Sequence, residues 1–549
     1  MKLIECVPNF SEGRDRAVID AITAEITAVD GAALLDVDPG VATNRTVVTF
    51  VGSPGAVEEA AFRAIAKAAE LIDMTKHTGE HPRMGATDVC PFVPVEGATM
   101  EDCVEIARRL GERVGTELSI PVYLYEHAAD GGRRSLADVR SGEYEGLPAR
   151  NDTPDFGPSL NASAGATAIG ARQFLIAYNV NLNTTDRRLA HQVASAVRTL
   201  GTATRDENGK IIKNEHGKTV FAPGRFNEVK GVGWYIDEYD RAQVSLNLTD
   251  SSVSPMHEVF EACREEATSR GMRVTGSELV GLVPLEAMLA AGDHFLTAQG
   301  RTTAIPEADR IRAAVMSLGL EEISEFDPAA KIVEFRFRGA PEGLITNTVT
   351  GFVDVLSKDS PAPGGGSVAA LVGALSAALS SMVASLTFAK QGMEDSKPTM
   401  EATGRDAQEL KDWFLAAVDR DTDAFNGVLT AIRMPRKTDE NRAARDLAMA
   451  AANLGATMVP LEVLEHSVEA LELTLITARD GNPNSVTDAG VGAACALAAA
   501  EGASLNVRIN LSSLDADISD IVDRHDVALA RAREFGKQVA SVVDASLSN

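Results

Sequence analysis

The sequence predicts an α/β amino-terminal half, made of two α/β sandwich subdomains, joined to an all-α helical-bundle carboxy-terminal domain. Three observations predict it. Up to residue 337, β-branched apolar runs alternate with stretches of helical period. After RGAPEGL (Arg338–Leu344) the strand-like runs stop, and the remainder is Ala-rich or of 3.6-residue period. A chain of 549 residues is also too long for a single core. The division is 1–171 and 172–337 for the two subdomains, a linker at 338–345, and a helical domain over 346–549.

Taken in order, KLIECV reads as a strand, and Asp15–Ala28 as a helix with Val18, Ile19, Ile22 and Ile26 on one face. AALLDV and RTVVTFV follow as strands. Ser53-Pro54 then supplies an N-cap and a proline at the first helical position, opening a helix to Ile72. VCPFVPV, a helix capped by Thr99, and IPVYLY complete a β-α-β-β-α-β-α-β order with helices on one sheet face. Residues 150–171, dense in Gly, Pro, Ser and Asn, read as a loop. The second subdomain takes the strands FLIAYNVNL, VGWYID, AQVSLNL, MRVTG and KIVEFRF, with a helix opened by Ser254-Pro255. RDENGKIIKNEHGKTV reads as a charged surface hairpin on Asn208-Gly209 and His216-Gly217 turns. In the last third, Ser360–Ala389 carries no charge and is long enough to be mistaken for a membrane span. Its Ala, Gly and Ser content gives weak drive into lipid, so it reads as a core helix at a helix–helix or subunit contact.

Hydrophobic content of 45% with 24% charged residues belongs to a soluble globular protein. A formal net charge of −27, from 79 acidic against 52 basic residues, argues against nucleic acid as a partner. Any anion site must then be locally basic against the global field. Five scattered cysteines without C-x-x-C read as free thiols of a cytoplasmic protein. The apolar run in MKLIECVPNF is too short for a signal peptide and continues as a strand.

HTGEHPRMGATD (His77–Asp88) spells H-x-x-E-H, the pattern of inverted zinc peptidases. Histidines at i and i+4 share a metal only on an unbroken helix. Gly79 and Pro82 oppose one here, and no third ligand stands out among Glu117, Glu126, Glu143 and Glu145. What remains is a histidine in a polar loop followed by Arg83 and Asp88, and such loops carry catalytic groups. A zinc hydrolase on His77 and His81 is the alternative from another class.

PAPGGGS feeds a long helix, so N–H groups at Gly364, Gly365, Gly366 and Ser367 favour an anionic ligand group, with a plain tight turn as the equal alternative. In VDRDTDAF, Asp419, Asp421 and Asp423 diverge on a helix and cannot chelate one metal. A calcium loop is excluded by the missing Gly after Asp423 and the missing Glu at the twelfth position. One aspartate facing inward would have a raised pKa suited to acid–base work.

MKLIECVPNFSEGRD, DPGVATNRTVVTFVG, MTKHTGEHPRMGATDVCPFVPV, GARQFLIAYNVNLN, GSELVGLVP and PAPGGGSVAA resemble, in order and over essentially the whole chain, the formimidoyltransferase-cyclodeaminase family. The resemblance implies a bifunctional folate enzyme of histidine degradation. Its first half moves the formimidoyl group of N-formimidoyl-L-glutamate onto N5 of tetrahydrofolate. The second half cyclises 5-formimidoyltetrahydrofolate to 5,10-methenyltetrahydrofolate and releases ammonia. The implied catalytic residues are His81 and Asp421, and the folate segment is Gly157, Pro158, Ser159, Leu160, Asn161, Ala162, Ser163, Ala164 and Gly165. Arg45 and Arg83 are candidates for substrate carboxylates, because guanidinium forks match that geometry. Gly364, Gly365, Gly366 and Ser367 are the loop candidates of the cyclodeaminase half.

Chemistry fits this assignment. A histidine takes a proton from the attacking folate nitrogen and returns one to the departing amine near neutrality. Tetrahydrofolate, polyglutamylated forms included, is the expected co-substrate, with no metal, no nucleic acid, no membrane and a homo-oligomer formed through the helical domain. Glycine as the formimidoyl carrier, or a folate-binding protein without catalysis, are the other readings. Two departures from the animal members stand out: a folate segment shorter by one residue with Ala164 in place of a tryptophan, and the charged hairpin near 205–222.

Overall fold

The computed structural model describes residues 2–41, 43–79, 82–131, 134–339, 342–514 and 517–548. They form two compact units, one of Met1–Ala291 with Val315–Gly339, the other of Gly292–Ala314 with Ala340–Asn549.

The first unit is built on two sheets. Its seven-stranded sheet comprises β1 (Leu3–Cys6), β2 (Asn9–Phe10), β3 (Ala32–Gly40), β4 (Arg45–Gly52), β5 (Thr87–Glu96), β6 (Val122–Glu126) and β7 (Thr167–Ala171), in the order β1-β4-β2-β5-β7-β6 with β3 on β4. β1 and β2 are one path interrupted at Val7 and Pro8, both pairing with β4 and β5. Proline has no N–H for the ladder, which accounts for the interruption. Pairing is antiparallel except where β7 joins β5 and β6 in parallel. Helices Arg16–Thr27, Pro54–Leu71 and Met100–Glu117 bury Ile22, Ala64 and Leu110 in one core with Phe50, Cys90 and Leu124. Val89 of β5 and Tyr123 and Tyr125 of β6 form a second core with Met84, Val139 and Leu147.

Burial on both faces explains a departure from the sequence reading. Residues 150–171 read as a loop, yet TAIGA is the central parallel strand β7, fully buried. A strand covered on both faces shows no alternation, and Ala and Gly give little β signal.

The second sheet joins β8 (Ile176–Leu182), β11 (Val229–Ile236), β12 (Arg241–Leu248) and β13 (Val274–Val280) in the order β11-β12-β8-β13, all antiparallel. The charged insertion rises from β9 (Thr202–Ala203) and β10 (Phe221–Ala222), with Gly209 and Gly217 at φ +79° and +73° in its two turns. KIVEFRF, expected as a strand, is helical: Pro328–Lys331 capped by Asp327, then Val333–Arg338, with Ile332 bridging to Val283. The alternation of VEFRF is too short to separate a period of 2 from 3.6, and Asp327-Pro328 is a helix start.

The second unit is helical, with long helices at Gly365–Ala389, Lys397–Arg433, Asp439–Asp480, Val486–Leu511 and Ser519–Leu547. Small residues let the first of these approach closely: a Cβ on Gly373 would lie 2.6 Å from the Phe414 ring. The sequence reading placed residues 292–314 in the second α/β subdomain. They pack instead in the helical unit, where Glu401 accepts hydrogen bonds from Thr302 and Thr303. Among the described residues, three helices, Gly365–Ala389, Asp439–Asp480 and Pro483–Leu511, are long and apolar enough by length and composition to cross a membrane.

Candidate active sites

The first site gathers on the second core face of the seven-stranded sheet, around the loop between the Pro54–Leu71 helix and β5. Asn44 anchors that loop from the β3–β4 turn. Its Nδ2 donates to the Thr78 carbonyl at 2.9 Å, its carbonyl pairs with His77 Nε2 at 3.0 Å, and its Oδ1 accepts from Gly13 N–H at 3.0 Å. Backbone approach is close enough that a Cβ on Gly79 would lie 2.3 Å from the Thr43 carbonyl. Glu80 and His81 lie outside the described residues.

His77 carries a defined tautomer. Arg83 Nε donates to Nδ1 at 3.3 Å, so Nδ1 is an acceptor and Nε2 holds the proton that Asn44 receives. Burial holds its pKa below the ordinary histidine value, opposed by the Asn44 bond. With both ring nitrogens engaged, His77 has no lone pair left for a metal, which removes one leg of the H-x-x-E-H reading. Among the described residues no group of three or more His, Cys, Asp or Glu is placed to hold a metal ion.

Arg83, a candidate for a substrate carboxylate, is instead committed to protein carboxylates. Its Nη1 and Nη2 reach Glu145 at 2.8 and 2.7 Å, and Glu143 lies 3.4 Å away. Arg45, the other candidate, bonds Asn9 through Nε at 2.9 Å and stands 3.7 Å from Asp88. Asp88 is 1% exposed; it accepts the Met84 N–H at 3.0 Å and an Arg140 Nη2 bond at 2.7 Å. Burial lowers the pKa of Arg45; Asp88 opposes that and Arg140 adds to it.

The segment Gly157–Gly165 runs beside this loop. Ala86 N–H donates to the Ala164 carbonyl at 2.8 Å, and Ala166 N–H to the Met84 carbonyl at 2.9 Å. The contact needs two glycines, since a Cβ on Gly165 (φ +70°) would sit 2.3 Å from the Met84 carbonyl and one on Gly85 2.2 Å from that of Ala166. Asn161 shapes the turn through Oδ1, which accepts Ala164 N–H at 3.0 Å, and Tyr144 Oη donates to the Ala162 carbonyl at 2.7 Å. Gly157, Pro158, Ser159, Leu160, Ala162 and Ser163 are exposed, Asn161 is half-buried, and Ala164 and Gly165 are buried. The exposed stretch can meet a ligand; Ala164 faces the core.

The second site lies in the helical unit. The Gly365–Ala389 helix begins with Gly365, Gly366 and Ser367, N-capped by Gly364. Ser367 Oγ donates to Asp421 Oδ2 at 3.0 Å and pairs with Thr422 Oγ1 at 3.1 Å. A Cβ on Gly366 would stand 2.0 Å from Asp421 Oδ1, so only glycine admits this carboxyl. Burial raises the pKa of Asp421, while the side-chain and backbone bonds from Ser367 pull it down. Its neighbours diverge as an i, i+2 spacing requires: Asp419 accepts the Leu344 N–H at 2.6 Å, and Asp423 is exposed. Asn506 stands next to Gly365, whose Cβ would be 3.5 Å from its Nδ2. Asn510 is bound elsewhere, to the Ala456 carbonyl, and Arg508 is exposed.

Sequence reasoning missed Asn44, Arg140, Tyr144 and Thr422. All four reach the sites by contacts that no local pattern announces.

A carboxylic acid seated at a glycine-only helix start, and a separate loop site beside a folded-back glycine segment, define a two-site enzyme on two units. Residues 3–172 match the formiminotransferase domain, N-terminal subdomain; 177–338 match the formiminotransferase domain; 348–523 match formiminotransferase-cyclodeaminase. The chain is 42% identical over 525 residues to formimidoyltransferase-cyclodeaminase of Mus musculus, covering 94% of both chains. It is 43% identical over 307 residues to glutamate formimidoyltransferase of Thermoplasma acidophilum, covering 55% of this chain and 94% of that one. Over 168 residues it is 36% identical to methenyltetrahydrofolate cyclohydrolase of Methylorubrum extorquens, covering 31% of this chain and 81% of that one. The chain belongs to the formiminotransferase-cyclodeaminase family.

Proposed function

We propose that this protein transfers the formimidoyl group of N-formimidoyl-L-glutamate to tetrahydrofolate and then cyclises 5-formimidoyltetrahydrofolate to 5,10-methenyltetrahydrofolate with release of ammonia. The observation that carries it is Asp421. In the cyclisation, N10 of the folate attacks the amidine carbon, and the amino group must leave as ammonia. Leaving requires a proton. A carboxyl whose pKa is raised by burial holds that proton nearer neutrality than a solvated one, and two bonds from Ser367 fix where it points. Asn506, beside Gly365 at the helix start, is the amidine-orienting group of this reading.

In the first unit, His81 is the acid–base group of this reading, and the exposed Gly157–Ser163 stretch the folate contact. Support for the latter is that it runs directly into Ala164 and Ala166, which bond Ala86 and Met84 at the strand entry after the histidine loop, and that Ser163 accepts the Met74 N–H at 2.8 Å. Cytoplasmic residence belongs to the same proposal, since all five cysteines are free. So does a bundle rather than a membrane role for the Gly365–Ala389 helix, which buries Gly373, Ala377, Ser380 and Ala384 among its neighbours.

Incubating the protein with tetrahydrofolate and N-formimidoyl-L-glutamate should yield methenyltetrahydrofolate, followed by its absorbance, and one equivalent of ammonia. Formimidoylglycine under the same conditions should be the poorer donor. No product from either donor would overturn the proposal.

A further inference from the structure

Resting on the proposed cyclodeaminase activity, we infer that Asn510 is a positioning residue, tying down the end of the Val486–Leu511 helix so that Asn506 is held at the start of the Gly365–Ala389 helix. The inference begins at Pro460, buried inside the Asp439–Asp480 helix. A helical carbonyl takes the N–H four residues on, and proline has none, so the Ala456 carbonyl lacks that partner within its own helix. Asn510 supplies one from the neighbouring helix, its Nδ2 donating to this carbonyl at 2.7 Å.

The place of the bond gives it a second effect. Asn510 stands in the last turn of its helix, where carbonyls run out of helical donors and the chain frays unless held. Two ties hold that end to the Asp439–Asp480 helix: Asn510 to Ala456, and Asn453 Nδ2 to the Ser513 carbonyl at 3.0 Å. Buried Val507 packs with Leu461 and Ile521 in the same region. Asn506 lies four residues before Asn510, on the same helix face. Its Nδ2 donates to the Gly502 carbonyl at 2.8 Å, and a Cβ on Gly365 would stand 3.5 Å from that Nδ2 and 3.9 Å from Oδ1. With the amide nitrogen so engaged, Oδ1 is the atom that accepts an amidine N–H. The next residue, Gly366, admits the Asp421 carboxyl. The tie at Ala456 therefore sets where the amidine acceptor stands relative to the acid.

The rival role is purely structural: Asn510 satisfies the Ala456 carbonyl and does nothing for the site. Four variants of the full-length protein separate the two. Asn510→Leu removes the donor. Its kcat for cyclising supplied 5-formimidoyltetrahydrofolate should fall about tenfold, with KM within about threefold and transfer at the wild-type rate. Amide hydrogen exchange over residues 506–511 should quicken in the same variant. Adding Pro460→Ala returns an N–H to the Ala456 carbonyl from within its own helix, but no tie between helices. It should recover the unfolding temperature and leave kcat low; recovery of kcat as well would overturn the inference. Asn506→Ala should lower kcat about a hundredfold. Asn506→Ala with Asn510→Leu should lose no more than Asn506→Ala alone, because Asn510 acts through Asn506. Losses that multiply, or an unchanged kcat in Asn510→Leu, would also overturn the inference. Full activity in Asn506→Ala would remove both the amidine role and the inference. A wild-type protein that cyclises nothing, while Asn510→Leu still quickens exchange at this helix end, would sink the activity and spare the tie.

Discussion

Asp421 sits between two opposed influences. Burial favours its neutral form, and the bonds from Ser367 favour the carboxylate. Ser367→Ala removes the side-chain bond, so the folded pKa rises further and the acid stays protonated to higher pH. The alkaline limb of the cyclodeaminase pH–rate profile should therefore move upward; a downward move would show that the active form is the carboxylate. Asp421→Asn should abolish cyclisation and let 5-formimidoyltetrahydrofolate accumulate. Asp419→Asn and Asp423→Asn should remain active, because their carboxyls point to Leu344 and to solvent. Equal loss in Asp419→Asn would mean that the helix face has been misassigned. In the other unit, His81→Ala should stop transfer and leave cyclisation of supplied 5-formimidoyltetrahydrofolate intact. Chelators should change neither activity; a loss restored by zinc would revive the metal reading that the His77 bonds argue against.

At the scale of elements, β1 carries a buried acid. Glu5 is 3% exposed, and its pKa is raised to about 7, chiefly by burial, with Arg172 opposing and Glu334 adding. The folded state thus binds a proton that the unfolded chain, at an ordinary carboxylate pKa of 4.5, has already lost. Stability falls as pH rises from the unfolded value to the folded one, by on the order of 3 kcal/mol once above both. Glu5→Gln should flatten that slope, raising the unfolding temperature at pH 8 and not at pH 4; an unchanged slope would place the titration elsewhere. The same strand shows how far the sequence could be read. LIEC belongs to a short apolar run, so Leu3–Cys6 was legible, as were the caps at Ser53 and Thr99 and the turns at Gly209 and Gly217. Buried β7 and helical Val333–Arg338 were not, since their burial is set by partners distant in the chain. His77–Asp88 and PAPGGGS announced both sites by composition. The Asp88–Arg140 pair, 52 residues apart, did not.

At the scale of the whole molecule, the helical unit leaves apolar side chains outward in register. Leu375, Met382 and Leu386 are 51%, 38% and 48% exposed, and their spacing of seven and four puts them on one face of the Gly365–Ala389 helix. Leu505 and Ile509, 63% and 69% exposed, repeat the pattern on the Val486–Leu511 helix. Soluble monomers rarely leave such stripes to water. We propose that another copy of the chain covers them, in a closed symmetric assembly. A net charge of −27 opposes the association, so salt should tighten it by screening. Sedimentation at micromolar concentration should then give a multiple of 58.0 kDa, with dissociation favoured at low ionic strength. Leu375→Glu with Leu386→Glu puts two charges into that face; the assembly should break while helical content, by circular dichroism, is kept. A wild-type monomer at every salt concentration would remove the proposal. An unbroken assembly in the double variant would move the interface to the Leu505–Ile509 stripe.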